Sequence, residues 1–308
     1  MVIAARNAAG TLPLALDSVL AQTLAPREIV VVDDGSTDGT AEVARAHGAA
    51  RCISQPHRGV SAARNRGIAA ATGQWVAILD ADDAWAPWRL ERVAEVVATR
   101  GPCFVGPDAW VWRPPETTSD ARARDERVFA DLCGQPLRDG SFVALFANAP
   151  VMHPVVPRSV LLAQRYDEDL ALAEDTELAW RLAAGGLPVC LLPEPLGFYR
   201  VQGGPSRHGD PLQAAQRMEA MLVRALSRCG GHPVAAPFIQ RDLRRVRRAV
   251  AYHGWRRAVR GGDWRGAVRG FSPWMLTLAL RARVRTDRVP IAAPQGARPV
   301  DRPARAEP

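Results

Sequence analysis

EIVVVDDGSTDGT, residues 28–40, decides how this chain is read. Ile29 to Val32 is an unbroken β-branched run, the pattern of a strand covered on both faces, as parallel strands are. It stops at Asp33-Asp34-Gly35-Ser36, a turn rich in hydrogen-bond acceptors. Asp38 to Ala46 then has helical composition, with Ser36 or Asp38 as its cap and Gly48 as its stop. The same unit repeats outward in both directions. Val2 to Ala5 is a short apolar run, followed by the turn Arg6-Asn7. Thr11 would cap the helix after it, which has Leu12, Leu16, Val19 and Leu20 on one face. Cys52 to Ser54 reads as a short strand and Ser61 to Ala71 as a helix stopped by Gly73. Gln74 to Leu79 is a second buried strand, running into Asp80-Ala81-Asp82-Asp83. Strands alternating with helices of about 10–12 residues predict βαβ units and a parallel sheet. Ligands of such sheets bind beyond the carboxyl ends of the strands. Two strands here end in paired aspartates.

Further along, Pro87 to Thr99 reads as a helix with Pro near its start, and Cys103 to Trp112 as a strand. Pro114 to Asp139 is polar, rich in Arg and Asp, and without periodicity, so a loop or lid is expected. Ser141 to Ala147 reads as a short helix and His153 to Val156 as a strand. Asp175 to Ala184 is a helix ending at Gly185-Gly186, and Val189 to Leu192 and Phe198 to Val201 are two strands. From about residue 210 the pattern becomes helical and basic, and from about 286 it becomes rich in Pro, Arg and Ala, as disordered tails are. The expected organisation is therefore an α/β domain over 1–209, a basic helical extension over 210–285 and a disordered tail over 286–308.

Composition excludes several classes. With 47% hydrophobic and 23% charged residues, the 308-residue chain is not a disordered one. No uncharged apolar run approaches the roughly 20 residues of a spanning helix; Ser272 to Leu280 is cut off by Arg281. The opening VIAARN has neither a basic n-region nor a long apolar one, so no secretory signal is expected. Five cysteines without a CxxC suit neither a disulfide framework nor a zinc site, but rather buried thiols in a reducing cytoplasm. All forty basic residues are Arg. Twenty of them face six acids in 211–308, which gives that region +14 and leaves −6 for 1–210. The basic half predicts attraction to phosphates. RRVRRAVAYHGWRRAVRGG (244–262) and DWRGAVRGFSPWMLTLAL (263–280) carry tryptophans among the arginines. Two readings follow: a helical pair packed on the α/β domain with its arginines in solvent, or peripheral contact with an anionic membrane at its cytoplasmic inner face. No nucleic-acid-binding motif accompanies the charge, so nucleic acid is not expected as a partner.

Four constellations carry chemistry. Asp80 and Asp82, at i and i+2 beyond a strand end, can hold one divalent cation between two phosphates. A carboxylate at the Asp33-Asp34 strand end can accept a uracil imide N–H or hold a ribose hydroxyl. Gly59 allows close backbone approach, and Arg64 follows on the first turns of a helix, where a phosphate or base is welcome. Glu174 and Asp175 open a helix, where a carboxylate can serve as general base to a hydroxyl. Taken singly, each has a plainer reading: a solvated turn, an Asx turn, a packing helix, acids favoured by a macrodipole.

Together their order and flanks resemble the inverting family 2 glycosyltransferases of GT-A fold. The matching phrases are SVLAQT (18–23), VVVDDGSTDGT (30–40), RGVSAARNRG (58–67), AILDADDAWAPWRLE (77–91) and AEDTELAWRLA (173–183). The resemblance spans about residues 2–202. It implies a Rossmann-like, mostly parallel sheet flanked by helices. It also implies metal-assisted transfer of a sugar from a nucleoside diphosphate sugar to a hydroxyl of a glycan, lipid-linked or other acceptor, as in cell-surface polysaccharide biosynthesis. Mapped residue by residue, Ala4, Asn7, Asp34, Arg64 and Asp80 would bind the donor. Asp82, with Asp80, would hold Mg2+ or Mn2+, Asp175 would be the base, and Glu174 would support it. The family's first strand ends in Pro-x-aromatic-Asn; here it reads Ala4-Ala5-Arg6-Asn7. The family's Tyr-Arg-x-His appears as Tyr199-Arg200-Val201-Gln202, with His208 a few residues on.

Two other classes share these features. A nucleotidyltransferase would show a Gly-rich phosphate loop after the first strand, but AARNAAGTL has only Gly10. A non-catalytic domain that binds a nucleotide or partner would explain the altered first strand and Gln202. The retained Asp82 and Asp175 argue for turnover.

Overall fold

Val2, Val30, Val32, Val76 and Ile78 point into one core, while Ile3, Val31, Ala77 and Leu79 point into another. This period of two is what strands show when helices cover both faces of their sheet. The computed structural model describes residues 1–125, 153–201 and 210–269. Its strands are β1 (Val2–Ala5), β2 (Val30–Asp34), β3 (Arg51–Gln55), β4 (Trp75–Asp80), β5 (Ala84–Trp85), β6 (Phe104–Trp112), β7 (Val155–Pro157) and β8 (Val189–Arg200). They form one eight-stranded sheet in the order β3-β2-β1-β4-β7-β6-β8-β5.

The first half of the sheet is the parallel one the sequence predicts, with β1 between β2 and β4. The second half is mixed: β7 is antiparallel to both β4 and β6, β6 and β8 run parallel, and β5 is antiparallel to β8. Ala4 pairs in register with Val32 on one side and Asp80 on the other. The two strand ends bearing aspartates therefore flank the end of β1, the position where doubly wound sheets open a crevice.

Gly67 seats the Val60–Ala70 helix on this sheet, because a Cβ there would collide with the Val2 side chain. That close approach carries Arg64, one turn earlier, toward the strand ends. The Leu12–Leu20 helix buries Leu12, Leu16 and Val19 as predicted, but Leu20 is 51% exposed. Leu20 is the last residue of the helix and lies about 80° round from Leu12, at the edge of the buried stripe. Thr11 holds the cap position without a side-chain cap bond. The next helix, Thr40–Ala46, is entered through Gly39 in the left-handed region rather than through Ser36 or Asp38. The described part of the expected Pro114–Asp139 loop contains a helix, Thr118–Arg124, started by a reciprocal Thr117–Asp120 capping box. Residues 126–139, the expected Ser141–Ala147 helix, Cys133, Gln202, His208 and the tail from 286 lie outside the described residues. The two expected strands after Gly186 are a single one, β8, and its pairing with β6 shifts register around Asp108.

Two compact units are present, Met1–Val250 and Ala251–Pro308. In the first, the Pro211–Cys229 helix buries Met221, Leu222, Ala225 and Cys229, and the following helix buries Ala235, Ile239 and Leu243, in the same core as β1 and β2. In the second, the short Trp264–Arg269 helix exposes Trp264 and Val268. Among the described residues no helix is long and apolar enough to cross a membrane.

Candidate active site

Local chain geometry aims each predicted residue. Gly35, at φ +73°, turns β2 sharply and passes close to the His57 backbone, where a Cβ would meet His57 N at 2.7 Å. The turn leaves Asp34 buried at the end of β2. Its carboxylate accepts hydrogen bonds from Gln55 Nε2 at 2.8 Å, His57 Nδ1 at 2.8 Å, and the backbone N–H groups of Arg58 and Gly59, both at 2.9 Å. Burial raises the Asp34 carboxyl, but these donors outweigh it and hold the group below its ordinary value. Four donors fill the acceptor capacity of one carboxylate. Asp34 thus fixes the turn leading to Arg64.

Asn7 is in the left-handed region at φ 49°. Its N–H donates to Ser36 Oγ at 3.0 Å, and its Oδ1 accepts from Thr37 N at 2.9 Å. The loops after β1 and β2 are thereby laced together.

Arg64 gathers the remaining residues. Only 5% exposed, it donates from Nη1 to Glu174 Oε1 at 2.6 Å and from Nη2 to Asp80 Oδ1 at 2.8 Å. The guanidinium lies 5.2 Å from the centre of the Tyr166 ring. Burial opposes its charge, and the neighbouring Asp80 and Glu174 more than offset that, holding Arg64 fully ionised. Asp175 follows Glu174 in the first turn of the Glu174–Ala184 helix, and its Oδ1 accepts from Thr176 N at 2.6 Å. Ala173, which starts that helix, has φ 57°, an unfavourable conformation for alanine that sets the entry angle of the acids. Burial pushes the Asp175 carboxyl up, and the Glu174 charge pushes it further. Arg64 pulls it down and Asp80 adds to the rise, leaving it at about 6. A carboxylate so tuned is ionised at neutral pH yet basic enough to take a proton.

Sequence reasoning missed a second cluster. Among the described residues, Asp80, Asp83 and His153 bring ligand atoms within 4.8 Å of one another. His153 Nε2 and Asp83 Oδ2 are 2.8 Å apart, and both side chains are nearly inaccessible. That separation is a hydrogen bond, which a divalent cation held by both side chains would replace. His153 Nδ1 is buried without a hydrogen-bond partner, and His153 itself has φ 43°. Arg89 pins it in place: fully buried, it donates to His153 O and Leu196 O and lies 4.4 Å from the centre of the Trp85 ring. Asp82 is not part of this cluster; its carbonyl accepts from Arg200 Nε at 2.9 Å. Asp83 stood in plain view after the DxD. Nothing local marked His153, 70 residues away.

A second network holds the Glu174–Ala184 helix from behind. Glu177, fully buried, accepts from Arg181 Nε at 3.0 Å and from Arg228 Nη1 at 2.8 Å. Arg228 also reaches Asp167 at 2.8 Å, next to Tyr166.

Comparison with known proteins gives the family and the fold. The sequence model described as Glycosyl transferase family 2 matches residues 1–153. An uncharacterized glycosyltransferase of Nostoc sp., alr2836, is 32% identical over 235 residues, covering 71% of this chain and 69% of that protein. The succinoglycan biosynthesis protein ExoO of Rhizobium meliloti is 36% identical over 243 residues, covering 72% and 67%. The chain belongs to glycosyltransferase family 2 and is a glycosyltransferase. Its fold is the GT-A fold. The Pyrobaculum calidifontis mannosyltransferase PcManGT, solved with GDP-Man and Mn2+, superposes with a TM-score of 0.60 at 20% identity, over 92% of this chain and 79% of that one. Staphylococcus aureus TarS, solved with UDP-GlcNAc, gives 0.59 at 15% identity, over 86% and 88%.

Proposed function

We propose that this glycosyltransferase moves a hexosyl group from a nucleoside diphosphate sugar to an acceptor hydroxyl, with inversion at the anomeric carbon and with a divalent cation. One observation carries the reading: Arg64 joins the DxD strand end to the start of the acidic helix, at 2.8 Å and 2.6 Å. A phosphate-binding edge and a proton acceptor thereby face one crevice. In support, fold neighbours hold UDP-GlcNAc and GDP-Man, the latter with Mn2+.

The donor would lie across the ends of β1, β2 and β4, between the Asn7–Ser36 loops and Arg64. Asp80 would hold the cation, joined by Asp83 and His153, with Asp82 as the rival second carboxylate. Two carboxylates with an imidazole favour Mn2+ over Mg2+, which prefers an all-oxygen shell. Bound there, the cation would supply Lewis-acid neutralisation of charge on the departing diphosphate. Asp175 takes the proton of the acceptor hydroxyl as its oxygen attacks C1 from the face opposite the leaving group. The C1–O bond to the diphosphate breaks, and the electron pair leaves with the nucleoside diphosphate. Glu174, held by Arg64, orients the helix start. The acceptor would be a glycan, lipid-linked or other hydroxyl met in the cytoplasm or at the inner membrane face; the relative ExoO is named for biosynthesis of a polysaccharide, succinoglycan. Mass spectrometry of a panel of UDP- and GDP-sugars, with and without Mn2+, tests this. Metal-dependent release of the nucleoside diphosphate is expected. No turnover of any donor that binds would favour the non-catalytic reading.

A further inference from the structure

The +14 balance of residues 211–308 says nothing about which arginines are available, and the fold does. Arg224 and Arg228 are taken up by Asp167, Asp169 and Glu177, and Arg247 by Glu219. The Ala235–Arg260 helix turns Ala235, Ile239 and Leu243 into the core, with Val246 packed beside them. At about 100° per residue the opposite face is then Arg241, Arg244, Arg245 and Arg248. All four are exposed. Arg241 reaches Asp242 at 3.0 Å, while Arg244, Arg245 and Arg248 make no ion pair among the described residues. The ridge contains no acid. Arginines stacked outward without counter-charges repel one another, and an anionic partner relieves that cost.

The second unit indicates which partner. In the Trp264–Arg269 helix, Trp264 is 66% exposed and Val268, one turn on, is 76% exposed. Arg265 and Arg269 are exposed next to them. An indole and an aliphatic side chain open to solvent among guanidinium groups suit a lipid interface, where an aromatic ring sits at headgroup depth. A nucleic-acid backbone would use the charge and leave the apolar pair unsatisfied.

We infer that the C-terminal helices dock peripherally on a bilayer bearing anionic phospholipid headgroups. Each unit contributes by itself: in the first, the Arg241–Arg248 ridge supplies attraction to the headgroups, and in the second, Trp264 with Val268 enters the interface. The inference stands on charge and exposure, independent of whether the donor site turns over.

Flotation of the full chain tests it, using phosphatidylcholine vesicles with or without about one-third phosphatidylglycerol. Binding is expected only with the anionic lipid and should fall steeply on raising salt from about 0.05 M to about 0.5 M. The triple variant Arg244→Glu/Arg245→Glu/Arg248→Glu should lose about 100-fold or more in partitioning. Its circular dichroism and thermal midpoint should match the parent. Trp264→Ser with Val268→Ser should weaken the binding that survives high salt. Equal binding to neutral vesicles, anionic binding indifferent to charge reversal, or tighter binding to a DNA duplex unaffected by the Trp264 and Val268 changes would each overturn the inference.

Discussion

Arg64 Nη1 lies 2.6 Å from Glu174 Oε1, across 110 residues of chain. The same guanidinium holds Asp80, so one buried cation balances carboxylates from two elements. Removing the cation leaves Glu174, largely covered, and Asp80, partly exposed, without this counter-charge; a fully buried pair typically costs about 3–5 kcal/mol to break, so the lower end of that range applies here. Arg64→Met should lower stability by about that much in urea unfolding, and it should raise the Asp175 titration further. Arg64→Lys, which keeps the charge and loses the fork, should recover part of both.

Asp175 is the base in the proposed reaction, and its environment gives it a stability signature. Asp175→Asn keeps shape but cannot accept a proton, so turnover should fall by about 10²-fold or more with donor Kd nearly unchanged. Glu174→Gln should cost less. Asp175 titrates at about 6 in the folded chain and near 3.9 unfolded. Between those values the native state binds the proton more tightly, so this group lowers stability as pH rises from about 4 to about 6. The asparagine variant should therefore have a higher Tm than the parent at pH 7–8, with the difference vanishing near pH 4. A lower Tm at pH 7–8 would show that the ionised carboxylate is net stabilising there.

Activity should have the opposite pH sense. Only ionised Asp175 is a base, so kcat/KM should fall about tenfold per unit below pH 6. The residual activity of Asp175→Asn should lack that limb. An unchanged limb in the variant would assign it to another group.

Much of this was legible beforehand because the information is local. The apolar runs before Asp33 and Asp80 fixed the parallel half of the sheet, and the AEDTEL phrase located the acidic start of the Glu174–Ala184 helix. Pairings between distant segments were not legible. That β7 inserts antiparallel between β4 and β6 depends on three residues, Val155 to Pro157, with no period of their own. The Asp83–His153 contact depends on that insertion. Leu20 was misplaced because a helical stripe does not reveal where its buried edge falls. The sequence showed the C-terminal helices as basic but not that Arg228 is internal, since only packing brings it against Glu177.

The metal ligands can be separated by substitution. With donor present, Asp80→Asn and Asp83→Asn should each weaken Mn2+ binding, as read by calorimetry, by more than tenfold, and His153→Gln should do the same. If Asp82→Asn does so while Asp83→Asn and His153→Gln do not, the ion takes the DxD pair and the Asp83–His153 contact is structural.

The network behind the Glu174–Ala184 helix predicts a remote effect. Arg228→Met strips Glu177, which is fully buried, of one of its two arginines. A destabilisation of about 3 kcal/mol is expected. Glu177→Gln in the same background should recover part of it, because the uncompensated charge is then gone.

The central claim is that Asp175 deprotonates an acceptor in metal-dependent sugar transfer. The most direct measurement is turnover of the best nucleoside diphosphate sugar by parent and Asp175→Asn, beside donor Kd for both. The account predicts Mn2+-dependent release of the nucleoside diphosphate by the parent, a loss of about 10²-fold or more in the variant, and matching Kd values. Near-equal turnover of the two proteins, at equal donor affinity, would contradict it.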